Sequence, residues 1–212
     1  MQSISHLLHK RIDCLSVLSD LHHTPGYFLN SFKIIPDQIV ASLTEKECSQ
    51  RAVEFLSLGE SLSPLLSSPN GSSFILSLHQ LIHEYEFYFF YNYTGLKVIQ
   101  TTSPPSVFPK PALAKNGSTV VLQYLSPQMM SFHLDYLTVT MSLLEVLKKT
   151  YEKILSGLSD ISTEAFPSLK KLDVIVQDKI ITRISNDLSL ISSKVFDSQM
   201  ANVSLLLFED RN

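Results

Sequence analysis

Residues 85–93 contain seven aromatic side chains in nine positions, and no other segment constrains the fold of this chain as strongly. Each such ring covers roughly 150–250 Å² when it is packed, so rings in this number have to be shielded from water. The run is therefore either the centre of a hydrophobic core or the centre of an interface with another protein.

The aromatic run taken alone favours a β-strand, because aromatic residues are enriched in strands. The preceding residues favour a helix instead, since apolar side chains from Phe74 to Ile82 recur at steps of three and four. Gly95 stands where a helix C-cap glycine is common. We predict one helix over residues 72–93 that is amphipathic at its start and apolar all round at its end. A helix end of that kind is covered on all sides, by its own chain or by a partner.

The same apolar spacing predicts four further helices, over residues 4–21, 36–58, 126–156 and 167–195. In the second, Thr44 and Glu47 match a capping box, and Gly59 and Pro64 are expected to end the pattern. Ser126 followed by proline is a favourable helix start.

The last predicted helix carries a second apolar stripe, marked by Val174 and Ile181, which indicates contacts on two sides. The tail from 202 to 208 fits either a strand or a frayed helix. The two long C-terminal helices are expected to pair as an antiparallel hairpin.

A proline-rich stretch, residues 103–117, cannot be helical and predicts a loop or linker. Residues 96–101 and 119–125 flank it and are expected to pair as two strands. The predicted fold is mainly α: an elongated helical bundle with a long C-terminal helical hairpin and a small two-stranded β element. We divide the chain into an N-terminal helical region (1–101), the proline-rich loop (102–118) and a C-terminal hairpin region (119–212), integrated into one domain.

Charged residues make up 17% of the chain, below the roughly 25% that is typical of soluble domains. Either uncharged polar residues supply the missing polarity, or a partner covers part of the surface. The net charge of −3 and the absence of a basic run argue against binding to nucleic acid. No apolar stretch is long enough for a transmembrane helix. Without a signal-peptide pattern, Cys14 and Cys48 are interpreted as buried thiols, and we expect an intracellular protein, cytoplasmic or nuclear.

Histidines at positions 79 and 83 provide the best case for a catalytic or metal site, because residues four apart share a helix face. Glu86, His133 or Asp135 would have to complete a metal site. The glutamate that zinc proteases require between or beside such histidines is missing. Since no nucleophile motif or phosphate-binding loop occurs either, we predict no enzyme and no cofactor.

The predicted function is that of a non-catalytic adaptor or scaffold subunit that binds other protein subunits in a hetero-oligomer through apolar helix faces. Aromatic residues on the second face of the 72–93 helix are the predicted protein interface: Phe87, Phe90, Tyr91 and Tyr93. Two alternatives stay open at this point. One is a metal-binding or hydrolytic helical protein that uses His79 and His83, and the other is a peripheral membrane-trafficking factor.

Overall fold

The computed structural model of the protein describes residues 2–91, 97–100, 114–116, 119–128, 130 and 132–209. Helices dominate this part of the chain, so the predicted mainly α-helical bundle is confirmed. The helices are α1 (Gln2–His23), α2 (Pro36–Ser42), α3 (Glu45–Leu66), α4 (Ser72–Phe90), α5 (Tyr136–Ser156), α6 (Phe166–Val176) and α7 (Thr182–Glu209).

Five short strands form two small sheets in the described residues. Strands β1 (Gly26–Phe28) and β2 (Phe32–Ile34) make an antiparallel hairpin between α1 and α2, which the sequence did not predict because three-residue strands are too short to show alternation. In the second sheet, β5 (Thr119–Leu122) lies between β3 (Lys97–Gln100) and β4 (Ala114–Asn116).

The predicted pairing across the proline-rich stretch is observed as the parallel pair β3–β5. Strand β4 pairs antiparallel with β5 and is an additional strand that the pattern did not reveal. Residues 101–113, which include the four prolines of this stretch, lie outside the described residues.

The arms of the C-terminal hairpin pack chiefly against N-terminal helices. Helix α5 packs on α1 and α3, and α6 packs on α4, which also contacts α3. The resulting core takes its fully buried side chains from both halves of the chain, among them Leu15, Phe55, Tyr85, Leu144 and Leu188.

The Thr44 capping box starts a helix as the sequence predicted, but the predicted 36–58 helix is divided into α2 and α3, because Leu43 and Thr44 are extended. Helix α3 also ends later than predicted. The Thr44 hydroxyl accepts a hydrogen bond from the Glu47 N–H, and the Glu47 carboxylate accepts one from the Thr44 N–H. The expectation that Gly59 and Pro64 end this helix was wrong. A glycine costs only about 1 kcal/mol in a helix interior, and Pro64 stands in the final turn, which closes at Leu66.

Helix α5 starts later than predicted, at Tyr136, with Asp135 as its N-cap residue. The favourable local start at Ser126 is not used, because the preceding segment is held in extended form by buried serines of α3. The N–H of Ser126 donates to Ser61 Oγ and the N–H of Gln128 donates to Ser57 Oγ, each at 2.9 Å. Tertiary hydrogen bonds therefore override the local helix signal.

A π-helical turn, Gln177–Ile181, joins α6 to α7, so the last predicted helix is continuous. A π turn inserts one extra residue and rotates the face that follows it. Ile180 and Ile181 are consequently both buried, whereas Val174 is 64% exposed, which corrects the predicted second stripe at Val174. The tail from 202 to 209 has a helical backbone.

Candidate protein-interaction surface

The aromatic end of α4 is mostly covered by the chain itself. Phe87, which the sequence placed on a partner-binding face, belongs to the core and is only 6% exposed, because α4 is packed by both α3 and α6. Phe90 is partly buried and Tyr91 is 50% exposed. Tyr93 lies outside the described residues. Of the predicted interface, Tyr91 is the position with a largely exposed side chain in the described part of the chain.

Two cations of the neighbouring helical segment cover the ring of Phe90. Lys179 Nζ lies 5.3 Å and the Arg183 guanidinium carbon lies 5.6 Å from the ring centroid. Both distances are within the roughly 6 Å range of a cation–π interaction. The ring of Tyr85 contacts Phe90 from inside the bundle, at a centroid distance of 5.8 Å. The ring of Phe90, which the sequence predicted to contact a partner, is thus in contact with side chains of its own chain.

A cluster of hydrogen-bonded polar side chains also holds the aromatic end of α4 in place. The Tyr85 hydroxyl donates to the Glu54 carboxylate, which also accepts from Arg183 Nη1 at 2.9 Å to each oxygen. Burial, and then the neighbouring Glu54 charge, raises the pKa of Tyr85 well above its usual value. The cluster therefore joins α3, α4 and α7 through hydrogen bonds between their polar side chains.

A second cluster of the same composition ties α1 to α6 and α5. Asp173 accepts from Arg11 Nε at 2.8 Å and from Arg11 Nη2 at 3.0 Å, and it also accepts from the Tyr151 hydroxyl at 2.9 Å. A further ion pair, Arg51–Asp187, joins α3 to α7. Because the carboxylates of Glu54, Asp173 and Asp187 each have one arginine partner, these charges are matched and join helices distant in sequence.

Glu84 is fully buried and is committed to backbone hydrogen bonds. Its carboxylate accepts the N–H groups of Gln123, Tyr124 and Leu125 at 2.9–3.0 Å and the side-chain amide of Gln80 at 2.8 Å. A carboxylate has about four lone-pair positions, and four donors use them. Glu84 therefore anchors the segment after β5 and has no lone pair left for a metal or a reacting proton.

The histidine pair offers little to a metal. His79 is 4% exposed, and burial, with a smaller effect from His83, lowers its pKa to about 4. Glu86, the nearest candidate third ligand in sequence, lies 3.8 Å from Lys179 Nζ. Within the described residues no group of three His, Cys, Asp or Glu side chains is placed to hold a metal ion.

The β1–β2 hairpin presents an exposed leucine in an unusual conformation. Leu29 is 73% exposed and has a φ of +51°, in the left-handed region that bulky residues rarely adopt. Asn30 follows with a φ of +56°, which asparagine tolerates better. Tyr27, on the adjoining strand, is 64% exposed. The hairpin thus displays two large apolar side chains, one of them at a conformational cost.

The C-terminal part of α7 extends the exposed apolar surface. Every side chain from 196 to 202 is exposed, including Phe196 at 48% and Met200 at 49%. Val203 and Leu207 continue the spacing of four, three and four along the helical backbone. That spacing is typical of a helix seam that meets another helix.

A groove of about 320 Å³ connects the hairpin to α7, with no charged residue in its described lining of Phe28, Leu29, Phe32, Ser189, Ser192, Ser193 and Phe196. The rings of Phe32 and Phe196 meet edge to face at a centroid distance of 6.3 Å. The hydroxyls of Ser189 and Ser192 donate to carbonyls of their own helix at 2.8–2.9 Å, so they leave the groove effectively apolar.

We call this region, Leu29, Phe32, Phe196 and Met200 with the groove beside them, the hairpin–α7 surface. Sequence reasoning missed it. The available signals were the spacing from Phe196 to Leu207 and the Leu-Asn pair between two short apolar segments. Both were weak, because neither shows which side of a helix the rest of the chain leaves uncovered.

No protein-family model matches the chain, and no curated protein and no solved structure is similar to it. In the described ranges, no helix combines the length and the apolar character needed to cross a bilayer.

Proposed function

We propose that the protein is a non-catalytic interaction subunit that binds a helix of a partner protein on the hairpin–α7 surface. The observation that carries this proposal is Leu29, a bulky apolar residue that is 73% exposed with a φ of +51°. An L-residue in the left-handed region costs about 1–2 kcal/mol. Neither exposure nor conformation stabilises the free chain at this position, so a role in binding explains both.

The neighbouring surface supports a helical partner. Phe196 and Met200 are one turn apart and begin the heptad-like seam, and the hairpin groove opens beside them. Sustained coiled coils need at least three to four heptads. The segment from 196 to 207 has roughly three turns, fewer than two heptads, so it is too short to hold a helix alone. The hairpin supplies the additional apolar contacts, with Leu29 and Phe32 on one side of the partner helix.

The absence of charge in the groove lining defines what the partner presents. An aliphatic side chain entering between Phe28, Phe32 and Phe196 would meet their rings. Of the three serine hydroxyls in the lining, those of Ser189 and Ser192 are already bonded within α7. A charged side chain would lose its hydration without gaining a partner. The proposed partner helix therefore carries Leu, Ile or Met at the groove, in the manner of helix-in-groove recognition.

Site-specific photo-crosslinking tests the proposal. A photoreactive phenylalanine analogue replaces Met200 in the full chain expressed in its native cells, and mass spectrometry identifies the adduct. The expected result is one defined adduct that disappears when Leu29→Asn is combined with the probe. The matched control places the same probe at Val174, which is 64% exposed on α6 and should give no such adduct.

Three outcomes would overturn the proposal. They are no adduct at position 200, the same adduct from both probe positions, and an adduct that Leu29→Asn leaves unchanged. An adduct with a second copy of the chain would show that this surface mediates self-association and does not bind a different protein.

A further inference from the structure

A second groove lies on the other side of α7, between this helix and α2. Its volume is about 430 Å³, and it is lined by Gln38, Ala41, Ser42, Ile191, Lys194, Val195, Ser198 and Gln199. Ligand sites in proteins commonly measure 300–1,000 Å³, so the space admits several side chains. On α7, its residues and those of the hairpin groove fall on different sides of the helix, because 191, 195 and 198 share one face whereas 189, 192 and 196 share another.

The floor of this α2–α7 groove is apolar and built from short side chains. Ile191 and Val195 provide branched carbons, and Ala41 leaves room above them. Ile191 is 3% exposed and Val195 is half-buried, so both are held in place by the core beneath. An aliphatic side chain from outside would therefore find a preformed apolar surface.

The rim carries one charge, and it is positive. Lys194 is exposed and forms no ion pair with any residue that the structure describes. Gln38 directs its Oε1 to the N–H of Ile35 at 3.0 Å, which leaves the NH₂ group of that amide as the atom free to donate. An ammonium group and an amide donor beside an apolar floor complement a carboxylate next to an aliphatic side chain.

We propose that the α2–α7 groove binds an acidic peptide segment, with an aliphatic side chain on Ile191 and Val195 and an Asp or Glu carboxylate at Lys194. The inference rests on the proposed protein-binding function only in that its occupant is a peptide. It uses residues separate from the hairpin–α7 surface, so the two assignments fail independently.

Two designed helical peptides with identical leucine positions provide the probe, one with glutamates and the other with lysines beside the leucines. Binding to the ¹⁵N-labelled full chain is followed by amide chemical shifts and by fluorescence anisotropy. We expect the acidic peptide to shift the amides of Ala41, Ile191 and Val195. Lys194→Glu should reverse the preference between the two peptides, by about fivefold in their relative affinity, as exposed ion pairs allow.

Exposed residues supply the controls, so folding is not at risk. Ala41→Leu fills the groove and should abolish binding, whereas Lys149→Glu on α5 and Met200→Asp on the opposite side of α7 should not change it. No saturable binding of the acidic peptide at millimolar concentration, equal affinity for both peptides, or shifts confined to the hairpin would overturn the assignment. If the acidic peptide does not bind but the photo-adduct at position 200 still forms, only the assignment of the α2–α7 groove is wrong.

Discussion

Two aromatic regions of this protein differ in their exposure to solvent. At the end of α4 the rings of Tyr85, Phe87 and Phe90 are enclosed by the bundle and by two cations. On the hairpin–α7 surface, Phe32 is only partly buried and Phe196 is 48% exposed. The denser group of rings, at the end of α4, is therefore mostly buried within the bundle. The sparser group, on the hairpin–α7 surface, remains partly exposed.

The number of neighbouring helices explains the difference. Helix α4 is packed by α3 on one side and by α6 on another, and Glu84 joins it to the segment after β5. Helix α7 is packed by α2 and the hairpin near its middle, and its side chains from 196 to 202 are exposed. The number of aromatic rings in a segment thus indicates that the segment has to be buried. The arrangement of the helices determines which elements bury it.

The largest expected effect concerns Glu84, which holds the enclosed region together. Glu84→Ala should lower the free energy of unfolding by roughly 3–6 kcal/mol, because three buried backbone N–H groups lose their acceptor. Urea denaturation measures the change. Glu152→Ala, at an exposed position of α5, is the matched control and should stay within about 0.5 kcal/mol. A loss below about 1 kcal/mol for Glu84→Ala would show that the carboxylate does not anchor this segment.

A direct comparison of the two regions comes from one phenylalanine in each. Phe87→Ala should cost roughly 3–5 kcal/mol, as is usual for a buried ring. Phe196→Ala should cost about 1 kcal/mol or less, since this ring is 48% exposed and mainly contacts Phe32. Thermal and urea unfolding of both variants checks the contrast. Equal losses would mean that the hairpin–α7 surface is part of the core.

The pH dependence of stability should reveal the buried histidine of α4. The pKa of His79 is about 4 in the folded chain and near 6.5 when unfolded, so the unfolded state takes up the proton first as the pH falls. The stabilisation is complete above pH 6.5 and is lost progressively between pH 6.5 and 4, with a fall of about 1 kcal/mol from pH 7 to 5.5.

His79→Leu should remove this part of the pH dependence in urea unfolding at the two pH values. His133→Leu, at an exposed histidine, should leave it unchanged. Burial also lowers the pKa of His22, so some dependence in the same direction is expected to persist. If the pH dependence of the unfolding free energy is unchanged in His79→Leu, a group other than His79 is responsible for it.

The smallest change is expected at the hairpin, and it has the opposite sign. Leu29→Asn should stabilise the free chain by up to about 1 kcal/mol, because asparagine tolerates the left-handed conformation. The same substitution should weaken the Met200 photo-adduct. Unfolding experiments on Leu29→Asn and on the exposed control Val174→Asn separate this effect from a general gain on removing an apolar side chain. Loss of stability in Leu29→Asn would remove the argument that Leu29 is kept for binding.

Much of the fold could be predicted from periodicity, and the exceptions share one cause. The aromatic helix was predicted over 72–93 and is observed from Ser72 to Phe90, since Tyr91 is extended. This helix and the Thr44 capping box depend on neighbours within one or two turns, so the local sequence is sufficient to predict them. The start of α5 and the burial of Ile181 were not predictable. The first depends on Ser57 and Ser61 as hydrogen-bond acceptors for a distant segment, and the second depends on a π turn.

The candidate surface was less predictable than the fold. The sequence indicated that the ring of Phe90 needed cover, but it could not show that Lys179 and Arg183 would supply it. It also could not show that the side chains of α7 are exposed from 196 to 202. Exposure is a property of what packs nearby, and residues distant in sequence determine it.

The sequence by itself determined that this chain is helical, with a concentrated aromatic segment that has to be buried, because helix periodicity and ring hydrophobicity are local properties. Tertiary structure decided that α3 and α6 bury Tyr85 and Phe87, whereas Leu29 of the hairpin and the side chains from 196 to 202 of α7 stay exposed. The reason is that burial depends on the arrangement of whole helices. That arrangement is fixed by contacts such as Glu54–Arg183 and Arg11–Asp173, whose partners are more than a hundred residues apart.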